Sequence, residues 1–221
     1  STYYGGNLVE ESYGLVCDGG DNIIISGKTN SANLPGSAGG FQPANAGGDD
    51  AFIAKFDFSG NFIWATFYGG SADELWPNIA VDKADNIAIT GGTYSINLFV
   101  SAAAFQTVNA GAAVGSIDIF IAKFNSSGGF VWATYCGGAD DDQGYGITTD
   151  SSGNVIICGN TISTTFPVTP GAFQTLWQGG TYDAFLAKFS AAGNQMWATF
   201  LGGGAAADNE GWAVGTDSKD N

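Results

Sequence analysis

The run Asp183-Ala-Phe-Leu-Ala-Lys-Phe-Ser-Ala-Ala-Gly-Asn-Gln-Met-Trp-Ala-Thr-Phe-Leu-Gly-Gly203 is written three times in this chain. The earlier copies occupy 50–70 and 118–138, with Phe, Ala-Lys-Phe, Gly, Trp-Ala-Thr and Gly-Gly at matching places. Copies begin at Asp50, Asp118 and Asp183, 68 and 65 residues apart, a period that belongs to a repeat architecture rather than to an ordinary single core. Each copy reads as a β-hairpin, two aromatic and β-branched runs around a Gly-containing turn.

A second hairpin precedes each copy. Tyr13-Gly-Leu-Val-Cys-Asp18 and Ile23-Ile-Ile-Ser-Gly-Lys-Thr29 flank a Gly/Asp/Asn turn. The pattern returns at 78–93 and 146–161, and a fourth attempt, Gly211-Trp-Ala-Val-Gly-Thr-Asp217, stops in its turn. About 20 residues join the two hairpins of a unit, and a loop of that length is normally functional or packed by its own side chains. Phe41-Gln42, Phe105-Gln106 and Phe173-Gln174 recur there, which predicts an internal plug; Gly111 to Ser116 lengthens the second connection.

The unit is thus four strands: inner hairpin, long loop, outer hairpin, Gly-Gly. In 50–70 the apolar residues occupy both strand faces, so both faces need cover. Radial stacking of four-stranded blades provides it, whereas a sandwich buries one face of each sheet. The sequence therefore predicts an all-β, incomplete β-propeller segment with blades at 12–68, 78–136 and 144–201. Residues 1–11 read as the last strand of a preceding blade and its link, and 211–221 as the first strand of a following one. Three blades fall short of the usual four to eight. Missing blades of a longer chain, or a partner chain, are therefore expected to cover the open edges.

Asp-Ala-Phe-Leu-Ala-Lys-Phe with Gly-Asn, Trp-Ala-Thr and Gly-Gly, followed by Gly146-Ile-Thr-Thr-Asp-Ser-Ser-Gly-Asn-Val155, resembles the bacterial β-propeller repeat family abbreviated SBBP. Phe166-Pro-Val-Thr-Pro-Gly-Ala-Phe-Gln174 is similar to that family's connection between blade halves. The resemblance covers essentially the whole chain. It implies a large secreted or cell-surface bacterial protein and no single activity.

Composition excludes several functions. The net charge is −15, from 21 acids against six lysines, so no basic groove for nucleic acid can form. Anionic membrane surfaces are disfavoured for the same reason, and no apolar run reaches the length of a spanning helix. With no histidine, neither a Ser-His-Asp nor a Cys-His centre can be built. Cys17, Cys136 and Cys158 lie in predicted strands without CxxC spacing, and read as buried free thiols.

The residues left to carry chemistry follow each Gly-Gly: Glu10 and Glu11, Asp73 and Glu74, Asp140, Asp141 and Asp142, Asp208 and Glu210. Clustered carboxylates suit Ca²⁺, which takes six to eight oxygens. The Asp-x-Asp-x-Asp-Gly order of a dedicated loop is absent, so a solvated acidic rim competes with a metal role for Asp73, Glu74 and Asp140 to Asp142. Paired carboxylates also serve glycoside hydrolysis, but acid and base need different environments, and these acids recur in every copy. Trp64, Trp132 and Trp197 recur and read as blade packing. Trp76, Trp177 and Trp212 do not; with Gln178, Asp141 and Asp142 they are the candidate ligand-binding residues, for a protein or a glycan. Lys55, Lys123 and Lys188 repeat, and are expected to pair with Asp18, Asp82, Asp150 or Asp217. The expectation is a noncatalytic binding module without a resident cofactor, calcium being the one ion considered. Its alternative is a carbohydrate-active propeller.

Overall fold

The computed structural model describes residues 2–111, 115–204 and 208–220; positions 112–114 of the lengthened connection fall outside them. Three four-stranded antiparallel sheets make up the fold. The first orders β1 (Glu10–Cys17), β2 (Ile23–Thr29), β3 (Asp50–Phe56) and β4 (Phe62–Tyr68). The second orders β5 (Glu74–Val81), β6 (Ile87–Thr93), β7 (Asp118–Phe124) and β8 (Phe130–Cys136). The third orders β9 (Asp142–Thr149), β10 (Val155–Thr161), β11 (Asp183–Phe189) and β12 (Gln195–Leu201). Each sheet is one propeller blade, and the three do not close on themselves.

Blade packing follows from strands apolar on both faces. All seven residues of β3, and all seven of β7, are buried. One core runs between the first two blades through Tyr68, Ile79, Ile89, Phe120 and Phe124; another runs between the second and third through Ile121, Trp132, Ile147 and Phe185. Fully burying one such side chain stabilises by about 1.5–3 kcal/mol.

The repeated residues divide the labour between and within blades. Trp64 Nε1 donates to Ser126 O of the next blade at 3.3 Å, and Trp132 Nε1 to Ala191 O at 2.9 Å. Their rings lie over Gly128 and Gly193, where an added Cβ would stand 2.9 and 2.8 Å from the indole. These glycines also hold φ of 82° and 87°, so the turn and the seat for the ring both require Gly. The plug is built as expected by its amide: Gln42 Nε2 donates to Asp50 Oδ2, and its Oε1 accepts from Gly69 N. Gln106 does the same for Asp118 and Gly137. The Phe of the pair does something else. Phe41 stacks on Phe130 of the next blade at 4.8 Å, and Phe105 meets Phe189 edge-on at 5.8 Å.

The lysines pair as the repetition predicts. Lys55 meets Asp18 at 2.6 Å, Lys123 meets Asp82 at 2.9 Å and Lys188 meets Asp150 at 2.8 Å, each within its own blade. Burial pulls the Asp82 carboxyl upward, but the Lys123 ammonium and the Asn86 amide outweigh it and hold the group below the ordinary carboxylate range.

Several expectations need correction. The inner strands start at Glu10, Glu74 and Asp142, ahead of the expected blade starts, so these acids are strand residues rather than links. Residues 2–4 and 211–217 form no strand, since among the described residues none pairs with them in a ladder. Tyr4 still packs on Phe52 and Phe56 of the first blade, the role Tyr68 plays on the second. Cys136 and Cys158 are buried free thiols, but Cys17 is exposed. Among the described residues its strand meets an inner strand, β5, on one side alone, whereas β5 lies between β1 and β9, and Leu15 is 66% exposed where its counterpart Ile79 is 4%.

Candidate functional site: an aromatic cleft on the inner strands

The inner strands are irregular where the aromatics sit. In β1 the register slips between Ser12 and Gly14, leaving Tyr13 as the extra residue; in β9 it slips around Tyr145. In β5 two residues, Trp76 and Pro77, face the single Gly91, and Trp76 holds φ at 50°. A bulge turns its extra side chain out of the pleat and is often found where a strand re-aims a side chain. The opposing residue must be glycine: a Cβ on Gly27, Gly91 or Gly159 would lie 2.1, 2.4 or 1.8 Å from a carbonyl oxygen of the bulged strand.

The bulges bring Tyr13, Trp76, Tyr145 and Trp212 together with Asn78 around a cleft of about 360 Å³. Tyr145 stacks on Trp212 at 4.6 Å and 17°, and tilts against Trp76 at 5.8 Å. Asn78 Nδ2 donates to Tyr145 O at 2.9 Å, fixing one inner strand to the next. The Tyr145 hydroxyl donates to Gln143 Oε1 and the Tyr13 hydroxyl to Glu11. Burial raises both phenols, and the Glu11 carboxylate raises Tyr13 further. Trp212 is carried by the segment after the third blade, held where Gly211 N donates to Gly159 O and Thr216 Oγ1 to Thr149 O.

The sequence candidates therefore separate. Trp76 and Trp212 meet in the cleft and are not unique after all, since Tyr13 and Tyr145 occupy bulges of the same kind. Trp177 is half-buried against the core of the third blade, outside the cleft lining, with its Nε1 lacking a hydrogen-bond partner. Gln178 uses its backbone N–H on Asp183 Oδ2 and its side chain on Leu176 O.

Nor do the acids converge. Asp73, Asp141 and Asp208 each accept a backbone N–H, from Asp49, Ile117 and Thr181, and so clip the link to the entry of the outer hairpin. Asp140 is exposed, whereas Glu74 and Asp142 are fully buried. Thr93 donates to Glu74 and Ser163 to Asp142, from a Thr-x-Ser pattern that the sequence repeats at 29–31, 93–95 and 161–163. Among the described residues no three His, Cys, Asp or Glu side chains gather as metal ligands. No helix among them is long and apolar enough to cross a membrane.

Residues 131–167, from the outer strand of the second blade into the long loop of the third, match the family model described as SBBP, β-propeller repeat. This segment is an SBBP repeat. The SBBP match spans the Gly137-Gly138 junction, so one repeat in the family's sense joins two blades. An uncharacterized WD repeat-containing protein of Acanthamoeba polyphaga mimivirus is 31% identical over 173 residues, 67% of this chain. The SBBP-bearing chain spans 12% of that protein's length.

Proposed function

We propose that this chain is a noncatalytic binding module whose ligand is a glycan, held in the cleft of Tyr13, Trp76, Tyr145 and Trp212. The observation that carries the reading is the aromatic row in which Tyr145 stacks on Trp212 and tilts against Trp76 of the neighbouring inner strand. Flat aromatic walls accept the apolar face of a sugar ring, and a few convergent polar groups fix its orientation. Asn78 and Gln143 supply amides beside those walls. A binding role rather than a hydrolytic one is supported by chemistry. The buried carboxyls lie at the blade junctions or in the lysine pairs, outside the cleft lining. Secretion or attachment at a bacterial surface belongs to the same proposal, on the strength of the SBBP resemblance and the acidic, arginine-free composition. So does cover for the end faces by further blades of this repeat.

A glycan-binding screen of the intact chain tests the reading, repeated with Trp212→Ala and Trp177→Ala. Binding lost in the first variant and kept in the second is expected. Loss in the second alone moves the site to the long loop. A protein ligand but no glycan would overturn the ligand class, and turnover of a glycoside the noncatalytic assignment.

A further inference from the structure

The Gly-Gly links are squeezed between carboxyl groups from two blades. A Cβ placed on Gly69 would stand 2.3 Å from Glu74 Oε2 and 2.5 Å from Asp50 Oδ1. At Gly137 the same construction meets Asp118 Oδ1 and Asp142 Oδ2, both at 2.8 Å. All four side chains are 0% exposed. The ion pairs among the described residues use other acids, so no lysine neutralises these.

The oxygens identify what each site lacks. Glu74 Oε1 accepts from Thr93 at 2.8 Å and Oε2 from Gly70 N at 3.0 Å. Asp50 Oδ2 accepts from Gln42 Nε2 and Ala46 N, while Oδ1 has no donor. At the second junction Asp118 Oδ2 accepts from Gln106 and Ala110 N, and Oδ1 from Gly111 N at 3.3 Å. Asp142 Oδ2 accepts from Gly138 N and Ser163, and again its Oδ1 has no donor. Each pair thus holds one unmatched acceptor and excess negative charge out of water. Calcium would need six to eight oxygens, far more than are free. Two carboxylates in one buried site resist ionising together, and a proton on one relieves the repulsion.

We propose that each blade junction is a binding site for one proton, shared by Asp50 and Glu74 at the first junction and by Asp118 and Asp142 at the second. Half of the same device stands at either end, in Glu10 beside Gly5 and in Asp183, whose Oδ1 also lacks a donor, beside Gly202.

Electrostatics agree with the geometry. Burial pushes Glu74 up to about 8, with the Asp50 charge adding, and Asp50 up to about 6, with Asp49 adding. Burial likewise lifts Asp142 to about 7, with Asp118 adding, and Asp118 to about 6. The other titratable groups facing these pairs are Tyr68 and Tyr135, which feel Glu74, and Cys136, which feels Asp142 and Asp118; burial raises all three. Acids raised by folding stabilise the fold below their unfolded range and cease to do so as pH climbs through the folded values. The loss therefore begins in the ordinary carboxylate range, near about pH 4, and is complete once the folded values of about 6 to about 8 are passed.

Urea unfolding of the intact chain from about pH 5 to about pH 9 tests this. Each junction that releases a proton only on unfolding changes the unfolding constant by up to about tenfold per pH unit. The expected result is a loss of stability that runs from the start of the range up to about pH 8 and levels off above it, made shallower by Glu74→Gln or by Asp142→Asn and shallower still by both. Infrared spectra at neutral pH should show a protonated-carboxyl band that the double variant lacks. Should Glu74→Gln fail to fold, Asp50→Asn makes the same test from the other side. A flat profile in the native chain, or an unchanged slope in every folded variant, overturns the proposal. So does stabilisation by added Ca²⁺ that Glu74→Gln abolishes, which would assign the site to a cation.

Discussion

A lysine held by an aspartate in every blade puts a charge where burial penalises it. Lys123 and Asp82 are both about 3% exposed at the side chain, and the lysine also donates to Gly153 O of the next blade at 2.8 Å. Removing one member of a buried pair leaves the other uncompensated, at a typical loss of about 3–5 kcal/mol. Lys123→Met is therefore expected to lower stability by several kcal/mol in urea unfolding. Lys188→Met should lower it less, since that side chain is 15% exposed and has more access to water. Because the Asp82 carboxyl is held below its ordinary range, its contribution is complete above about pH 4 and fades as pH falls further. A second prediction concerns Gly159→Ala. The added methyl would fall 1.8 Å from Gln143 O, a backbone atom that cannot step aside without undoing the bulge. Faster amide exchange along β9 and weaker Tyr145–Trp212 stacking by fluorescence are expected; an unchanged exchange pattern would refute the steric account.

At the level of strands and loops, the long connection is tied down by one amide. Gln106 bonds Asp118, Val108 O and Gly137 N, joining loop, outer hairpin and link. Gln106→Ala leaves buried polar groups without partners, at about 1–3 kcal/mol. Trp132→Phe is expected to cost less, losing the bond to Ala191 O while keeping the ring over Gly193. Thermal unfolding of the two variants should rank them in that order. These connections explain how much could be read from sequence. Strand pairing, blade composition and the lysine partners were legible because they recur, and recurrence reports packing. That Phe41 reaches across to Phe130 was not legible, since a repeated residue carries no mark of which blade it touches. The cleft was half legible. Trp76 and Trp212 stand out by residue type, but Tyr13 sits in an ordinary strand pattern, Tyr145 falls just ahead of one, and the left-handed φ that re-aims Trp76 has no signature in residue type. Trp177 drew notice for being unique, yet its ring simply covers a core edge.

Across the whole molecule, two opposing sets of carboxylates define the response to pH. Those paired with lysine favour folding above the acid range, and those paired with each other favour it most below about pH 4 and lose that effect progressively by about pH 8. Stability is therefore expected to peak in mildly acidic solution, which a series of melting curves would show as a dome rather than a plateau. The end faces make a separate prediction. Phe173 is 86%, Trp197 36% and Leu201 42% exposed, where Phe105 is 36% exposed and Trp132, Tyr68 and Cys136 are buried against the following blade. Light scattering on the 221-residue chain is expected to show association that grows with concentration and is reduced by Phe173→Ser with Trp197→Gln; a monomer at all concentrations would count against it. The indole of one blade resting on the turn glycine of the next also gives the array a grammar. Every unit carries both a plug and a socket, always in the same order, so an in-frame duplication or loss of one period would restore each seam without any compensating substitution. Length in such a molecule can change by whole units while its joints stay the same.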